Sequence, residues 1–387
     1  MKRPKSRVVG LDVHPDSFCG GILEGRDPIN ARVTGTWGPL PLSALERWAT
    51  EHTTTKDTLV LEASGNAFGV AERLKRIGRT AIVLESHMAG KIAKTYCAND
   101  RVDAVKVARI YLSGLSPLVW QPDEKTRQRR ELFSAYQAVV RDTTRCQQHL
   151  KSMLNEYCLR LPANFRLTSP GALGRLLALR DWSPIQRLLL EQTHQALVAA
   201  RARRAILRRQ LALDVEQDEI LFRLWRLTGL NLITIYGLAS SIGDVRRFTN
   251  PKKLVAYLGL NPSVCQSGNW EGGGALKRHG RGPIRSLLVQ ASKRLLQVHN
   301  PLQKWGLAVA MRRGRNRAAV AVARKLAVAV WHALMGHPIA AVDSEERLRV
   351  KVFKFATDLG LPTLKALGYE SKLHFQERKL YVLKSYP

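Results

Sequence analysis

The chain has 387 residues, 45% of them apolar, and a formal net charge of +31. That length allows two or three domains with sizeable cores, and the basic excess points to a polyanionic partner, nucleic acid above all. Cys19, Cys97, Cys146, Cys158 and Cys265 form no Cys-x-x-Cys pair, and the ten histidines lack metal spacing; neither a zinc site nor a disulfide framework is suggested, and a reducing cytosol fits.

In chain order, residues 7–13 and 18–24 read as a strand hairpin with Pro15-Asp16 in its turn, and 31–37 as a third strand. A helix is predicted over 41–51, a strand over 58–63, a helix over 69–77 and a strand over 80–85. One or two helices follow over 89–113, and a proline-containing segment, 115–122, ends the first domain. This order of strands and helices is that of an RNase H-like nuclease core. Two carboxylates, Asp12 and Glu62, stand in apolar strands, where a lone charge is costly unless paired or bound to a cation. Asp100 and Asp103 lie one helical turn apart and so share a helix face. Four converging carboxylates suit Mg²⁺ (or Mn²⁺), which prefers oxygen ligands. Two such ions about 4 Å apart stabilise both oxygens of a phosphoryl displacement. Taken singly, a strand Asp beside Gly is an ordinary turn or hydrogen-bonding residue, and Asp-x-x-Asp is an ordinary solvated face; their order along the chain favours one metal site.

Charge is uneven. Residues 1–122 hold 17 Lys/Arg against 12 Asp/Glu, a net of +5, and residues 123–387 hold 45 against 19, a net of +26. The predicted chemistry therefore sits in a near-neutral domain, and most of the polyanion-binding surface follows it. Residues 123–160 and 184–225 read as two long amphipathic helices, the second dense in arginine, and predict an antiparallel coiled-coil arm over 123–225. Residues 227–248 suggest a helix-hairpin-helix in which Asn231 replaces the second turn glycine, tolerating positive φ. Residues 261–285 read as a Gly-rich basic loop containing Gln266-Ser267-Gly268 and the cations Lys277, Arg278, Arg281 and Arg285. Helices follow to about residue 337; the most apolar stretch, 318–335, is interrupted by Arg324 and Lys325 and reads as a core helix rather than a membrane span. Residues 341–387 form a charged extension without an assignment.

The segments Gly-Leu-Asp-Val (10–13), Leu-Glu-Ala-Ser-Gly (61–65) and Asn-Asp-Arg-Val-Asp-Ala (99–104), followed by Ile-Gly-Asp-Val-Arg-Arg-Phe (242–248), Leu-Val-Ala-Tyr-Leu-Gly-Leu-Asn-Pro (254–262) and Ser-Gly (267–268), stand in one order. Over residues 7–338 the sequence resembles the insertion-sequence-110 transposases, DEDD recombinases of bacterial mobile elements. The resemblance implies an α/β RNase H-like (RuvC-like) catalytic domain over 1–122, the helical coiled-coil arm, and a mostly α-helical transposase domain over 226–340. It implies that Asp12, Glu62, Asp100 and Asp103 hold metal and that Ser267 attacks DNA as a nucleophile, forming a phosphoserine. It further implies donor and target DNA as partners, a guiding bridge RNA, a homo-oligomer (dimer or tetramer), and a bacterial, cytoplasmic, nucleoid-associated location. Lys277, Arg278, Arg281 and Arg285 are the candidates for nucleic-acid contact.

Two other functions stay open at this stage. One is a metal-dependent Holliday-junction resolvase or nuclease without a covalent serine step, which would not need residues 180–338. The other is a non-catalytic nucleic-acid-binding protein, which would be indifferent to Asp12.

Overall fold

Alternation of side chains along the first strands decides the architecture of the N-terminal part. In β1 (Arg7–Val13), Val9 and Leu11 are buried toward one sheet face, while Val8, Gly10 and Asp12 look to the other. The computed structural model describes residues 7–85, 100–267, 270–276, 280–339 and 341–386, which divide into two compact units, 1–122 and 123–387.

In the first unit β1 is followed by β2 (Ser17–Glu24), β3 (Arg32–Pro41), α1 (Leu45–His52), β4 (Thr58–Glu62), α2 (Ala67–Arg76), β5 (Thr80–Leu84) and α3 (Asp100–Ser113). The strands form one mixed sheet in the order β3-β2-β1-β4-β5. The first three are antiparallel neighbours, and β1, β4 and β5 run parallel. This is compatible with the RNase H-like start expected from the sequence. β3 extends four residues beyond the predicted strand, because Trp37 and Leu40 keep pairing with Gly20 and Phe18. Helices α1 and α2 cover one face, burying Leu45, Trp48, Val70 and Leu74 against Val9, Leu11, Leu59 and Leu61. Each such fully buried aliphatic side chain contributes roughly 1.5–3 kcal/mol. The other face receives α3, whose Val107, Ala108 and Ile110 meet Val8, Leu23, Val60 and Leu84. The start of the helical stretch expected over 89–113, residues 89–99, lies outside the described residues.

In the second unit, α4 (Glu124–Glu156) and α6 (Pro184–Glu216) pack side by side, with the short α5 (Ala172–Leu177) between them in sequence. Arg129 near the start of α4 pairs with Asp214 near the end of α6 at 2.8 Å, while Leu150 and Leu154 meet Leu190 and Leu197; the pair is therefore antiparallel. The second long helix stops at Glu216 rather than continuing to 225, because Asp218 turns its carboxylate onto the Leu221 amide at 3.2 Å and starts α7 (Glu219–Arg223). The expected positive φ at Asn231 is also corrected. Asn231 has φ −131° and caps α8 (Leu232–Ile242) by accepting from the Thr234 amide, and Gly229 takes the left-handed position instead, at φ +76°. Thus the polar side chain serves the helix, and the glycine two residues earlier supplies the turn.

After α9 (Pro251–Tyr257), the predicted loop contains a two-stranded antiparallel hairpin, β6 (Pro262–Ser267) and β7 (Trp270–Leu276). The glycine run 272–274 adopts strand rather than loop, because it is paired across to Val264 and Cys265. α10 (Gly282–Leu295), α11 (Gln303–Arg313) and α12 (Arg315–Leu334) follow. α12 is the core helix expected from 318–335: Ala318, Val322, Leu326 and Val330 are fully buried. Among the described residues no helix is long and apolar enough to cross a membrane.

The unassigned extension is helical and belongs to the same core. α13 (Glu345–Leu359), α14 (Leu361–Ala366) and α15 (Lys372–Ser385) contribute Val352, Phe355, Leu364 and Phe375 to it. A bridge between Leu227 and Val342 and a bond from the Asp343 amide to the Arg226 carbonyl at 2.9 Å fix the extension to the segment after α7, and within the extension Lys351 Nζ pairs with the buried Asp343 at 3.1 Å. Lys351 also donates to the carbonyls of Trp225 and Leu227.

Candidate active site

The parallel pairing of β1 and β4 aligns Leu11 with Leu61, so the next residues, Asp12 and Glu62, stand at the carboxyl ends of adjacent strands. Both have the parity of Val8 and Val60, which face α3. Open α/β sheets bind ligands at the carboxyl ends of their parallel strands. Asp100 and Asp103 occupy the first turn of α3, where the helix dipole favours negative charge.

A glycine allows this approach. A Cβ at Gly10 would lie 1.8 Å from the Ala104 carbonyl oxygen, and one at Gly21, its partner across the β1–β2 ladder, 2.7 Å from the Val105 side chain. Backbone thus rests on backbone, and α3 is held close over β1. Gly20, on the opposite face, makes room for the Trp48 ring in the same way.

The result is a partly open acidic cluster. Asp12 is 25% exposed and Asp100 54%. His14 Nε2 lies 3.4 Å from Asp12 Oδ2 and 3.7 Å from Asp100 Oδ2. Asp12, His14 and Asp100 each offer a ligand atom within 4.8 Å of the others. Burial raises the Asp12 carboxyl above its ordinary value; His14 opposes that rise, and Asp100 and Asp103 add to it. Burial also raises Glu62, with further contributions from Asp12, Asp103 and Glu85. Asp12 thus feels Asp100 and Asp103, and Glu62 feels Asp12 and Asp103; of the four sequence-predicted acids, Asp12 and Asp100 stand in the group with ligand atoms within 4.8 Å, and Glu62 and Asp103 do not. Asp103 additionally accepts from Lys106 Nζ at 2.6 Å. An oxygen-rich donor set of this type fits a hard divalent cation.

Two neighbours escaped the sequence reading. His14 lies in the turn after β1, and its carbonyl accepts from Asn66 Nδ2 at 2.8 Å. Its signal was position: it follows the strand-end Asp12 by two residues. Glu85 directly follows β5, whose Leu84 pairs with Glu62. The chain repeats Leu-acid at 11–12, 61–62 and 84–85, once at the end of each parallel strand.

Ser267 ends β6, opposite Trp270 of β7, next to the hairpin tip. Lys277 and Arg278 lie outside the described residues. Arg281 and Arg285 are half-buried; Arg281 Nε donates to the Tyr257 hydroxyl at 2.8 Å and Arg285 Nη1 to the Gly259 carbonyl at 3.4 Å. Both therefore hold the start of the helix at 282–295 against the end of α9.

Residues 223–305 match the family model described as "Transposase IS116/IS110/IS902 family". A "Probable family 20 transposase" of Pseudomonas aeruginosa is 26% identical over 283 residues, covering 70% of this chain and 82% of that protein. The "Transposase for insertion sequence element IS1111A" of Coxiella burnetii is 25% identical over 340 residues, or 84% and 88%. The corresponding transposase for IS1328 of Yersinia enterocolitica is 22% identical over 277 residues, or 70% and 82%. The likeness thus spans both units: the chain is similar to insertion-sequence transposases, and part of its second unit matches the IS116/IS110/IS902 family model.

Proposed function

We propose that this transposase is an RNA-guided DNA recombinase in which Asp12, Glu62, Asp100 and Asp103 hold Mg²⁺ or Mn²⁺ and Ser267 is the nucleophile. The observation that carries the reading is the convergence of two strand-end carboxylates on the acidic first turn of α3, made possible by Gly10. A bound divalent ion would activate attacking and leaving oxygens alike, which suits a serine that needs activation to attack.

In the proposed step, Ser267 Oγ loses its proton and bonds to the scissile phosphorus. The bond from phosphorus to the leaving oxygen breaks, and that oxygen departs as a hydroxyl after taking a proton. The phosphoserine preserves the phosphodiester energy until a strand hydroxyl attacks and releases the serine. The net +26 over residues 123–387 supports extensive phosphate contact, and an RNA guide would supply sequence choice by base pairing, as in other guided systems. The family likeness favours an oligomer acting on donor and target DNA.

The experiment is to trap the protein–DNA adduct. Wild-type protein with its RNA, DNA and Mg²⁺ should yield a covalent complex that Ser267→Ala does not form. If Ser267→Ala still cleaves strands and still forms the adduct, the nucleophile is another residue. If it cleaves without any adduct, the metal-dependent nuclease reading replaces this one.

A further inference from the structure

A cavity of about 710 Å³ lies in the second unit, bounded by α9, α12 and Asn261, the residue directly before β6. We infer that it receives a single unpaired nucleotide of the DNA strand, its base on the apolar floor and its phosphate at the basic rim. This inference rests on the reading of Ser267 as a DNA nucleophile.

The chemistry of the lining is the first argument. Val255, Val328 and Ala329 supply an apolar surface, and Lys252, Arg324 and Lys325 supply cations; among the described residues no acidic side chain lines the cavity. All three cations are exposed, and among the described residues neither Lys252 nor Arg324 is engaged in an ion pair. Lys325 Nζ sits 4.7 Å above the Trp305 ring, which holds its charge near the rim. An apolar recess that takes a flat ring beside exposed cations matches the way unstacked bases and their phosphates are bound.

Size and position are the second argument. The volume falls within the roughly 300–1,000 Å³ of ordinary ligand pockets, ample for one nucleotide. Asn261 leads directly into β6, and six strand residues at ~3.3 Å each place Ser267 roughly 20 Å along from it. The pocket therefore stands at the root of the strand that ends in the proposed nucleophile, which favours the DNA strand as the source. A duplex presents no free base, since flipping one out costs a few kcal/mol.

The test measures binding by full-length, nucleic-acid-free protein in a metal chelator. The probes are one short sequence as single-stranded DNA, as duplex DNA and as single-stranded RNA. Ala329→Trp fills the floor without changing charge, and should weaken single-stranded DNA binding about tenfold while leaving duplex binding within about twofold. The pair Lys252→Gln and Arg324→Gln should lower the slope of log affinity against log salt by about 1.4 for single-stranded DNA, about 0.7 for each phosphate no longer neutralised. A folded Ala329→Trp protein that binds single-stranded DNA as the wild type does would overturn the inference. Equal losses for duplex and single strand would also overturn it, and so would tighter RNA binding that Ala329→Trp abolishes, which would assign the pocket to RNA. If Ala329→Trp does not fold, an unchanged salt slope in the charge variants is sufficient to reject it. No cleavage is read here, so failure of the Ser267 reading would appear separately, as a covalent protein–DNA adduct still formed by Ser267→Ala.

Discussion

Replacing Gly10 by alanine should dismantle the acidic cluster without touching an acid. The new Cβ would sit 1.8 Å from the Ala104 carbonyl oxygen and 3.0 Å from the Ala108 amide nitrogen, both backbone atoms that no rotamer change can move aside. Real Cβ atoms do not approach other atoms closer than about 3.0 Å, so α3 must withdraw by roughly 1.2 Å. Overpacking of this kind costs typically about 1–3 kcal/mol of stability. Asp100 and Asp103 move with the helix, and a displacement near 1 Å is worth about 10²-fold in rate where geometry controls catalysis. Gly69→Ala is the matched control. Gly69 is exposed in α2 with open space around its Cβ position, so alanine there should stabilise by about 0.5–1 kcal/mol and leave cleavage unchanged. The assays are urea unfolding and Mg²⁺-dependent strand cleavage of the element's DNA, with the proposed guide RNA present. Wild-type cleavage by a stably folded Gly10→Ala protein would refute the claim that the close docking of α3 on β1 sets the site.

Three further outcomes are expected. Because Glu62 has its carboxyl raised by burial and by Asp12, the folded metal-free protein holds a proton that the unfolded chain has already released; its stability should fall as pH rises from the unfolded value, near 4.5, through the raised one. Glu62→Gln should flatten that fall in a thermal-melt series and lose most of the stabilisation that Mn²⁺ gives the wild type, about 2.7 kcal/mol at a hundred times its dissociation constant; an unaltered pH profile and unaltered Mn²⁺ response would contradict it. Purified protein should carry RNA in stoichiometric amount, and RNase treatment before DNA is added should abolish sequence-specific binding; specificity that survives RNase rejects the guide. Lys351→Met leaves Asp343 buried without its partner and should cost about 3–5 kcal/mol in denaturant unfolding, whereas a loss below about 1 kcal/mol would mean that the C-terminal helices are not integral to the second unit.

The first unit is largely legible because its strands carry a period-two pattern that also dictates which face a residue occupies. Asp12 and Glu62 interrupt apolar runs, and parity then places both with Val8 and Val60 toward α3. His14 and Glu85 are not legible, since each follows its strand and joins the cluster only through the fold. In the second unit, helix existence can be read but helix ends cannot. Asp218 ends one helix and starts the next through a single side-chain cap, a local competition that amphipathic periodicity does not register. The turn expected at Asn231 falls elsewhere because the same side chain suits a left-handed turn and an N-cap; Gly229, which has no Cβ, takes the strained position at lower cost. The strand at 270–276 is hidden by its three glycines, whose conformation is fixed by pairing with β6 rather than by their own preference. The helices after 341 are hidden because their dense charges mask apolar positions such as Val352, Phe355 and Phe375, which bury only against the core of the preceding segment.

The most direct measurement is strand cleavage by Asp12→Asn protein, folded as judged by circular dichroism, with guide RNA, donor and target DNA and Mg²⁺. Loss of both cleavage and the covalent protein–DNA adduct is the predicted result; full cleavage at the wild-type rate would contradict the assignment of the acidic cluster as the metal-dependent catalytic centre.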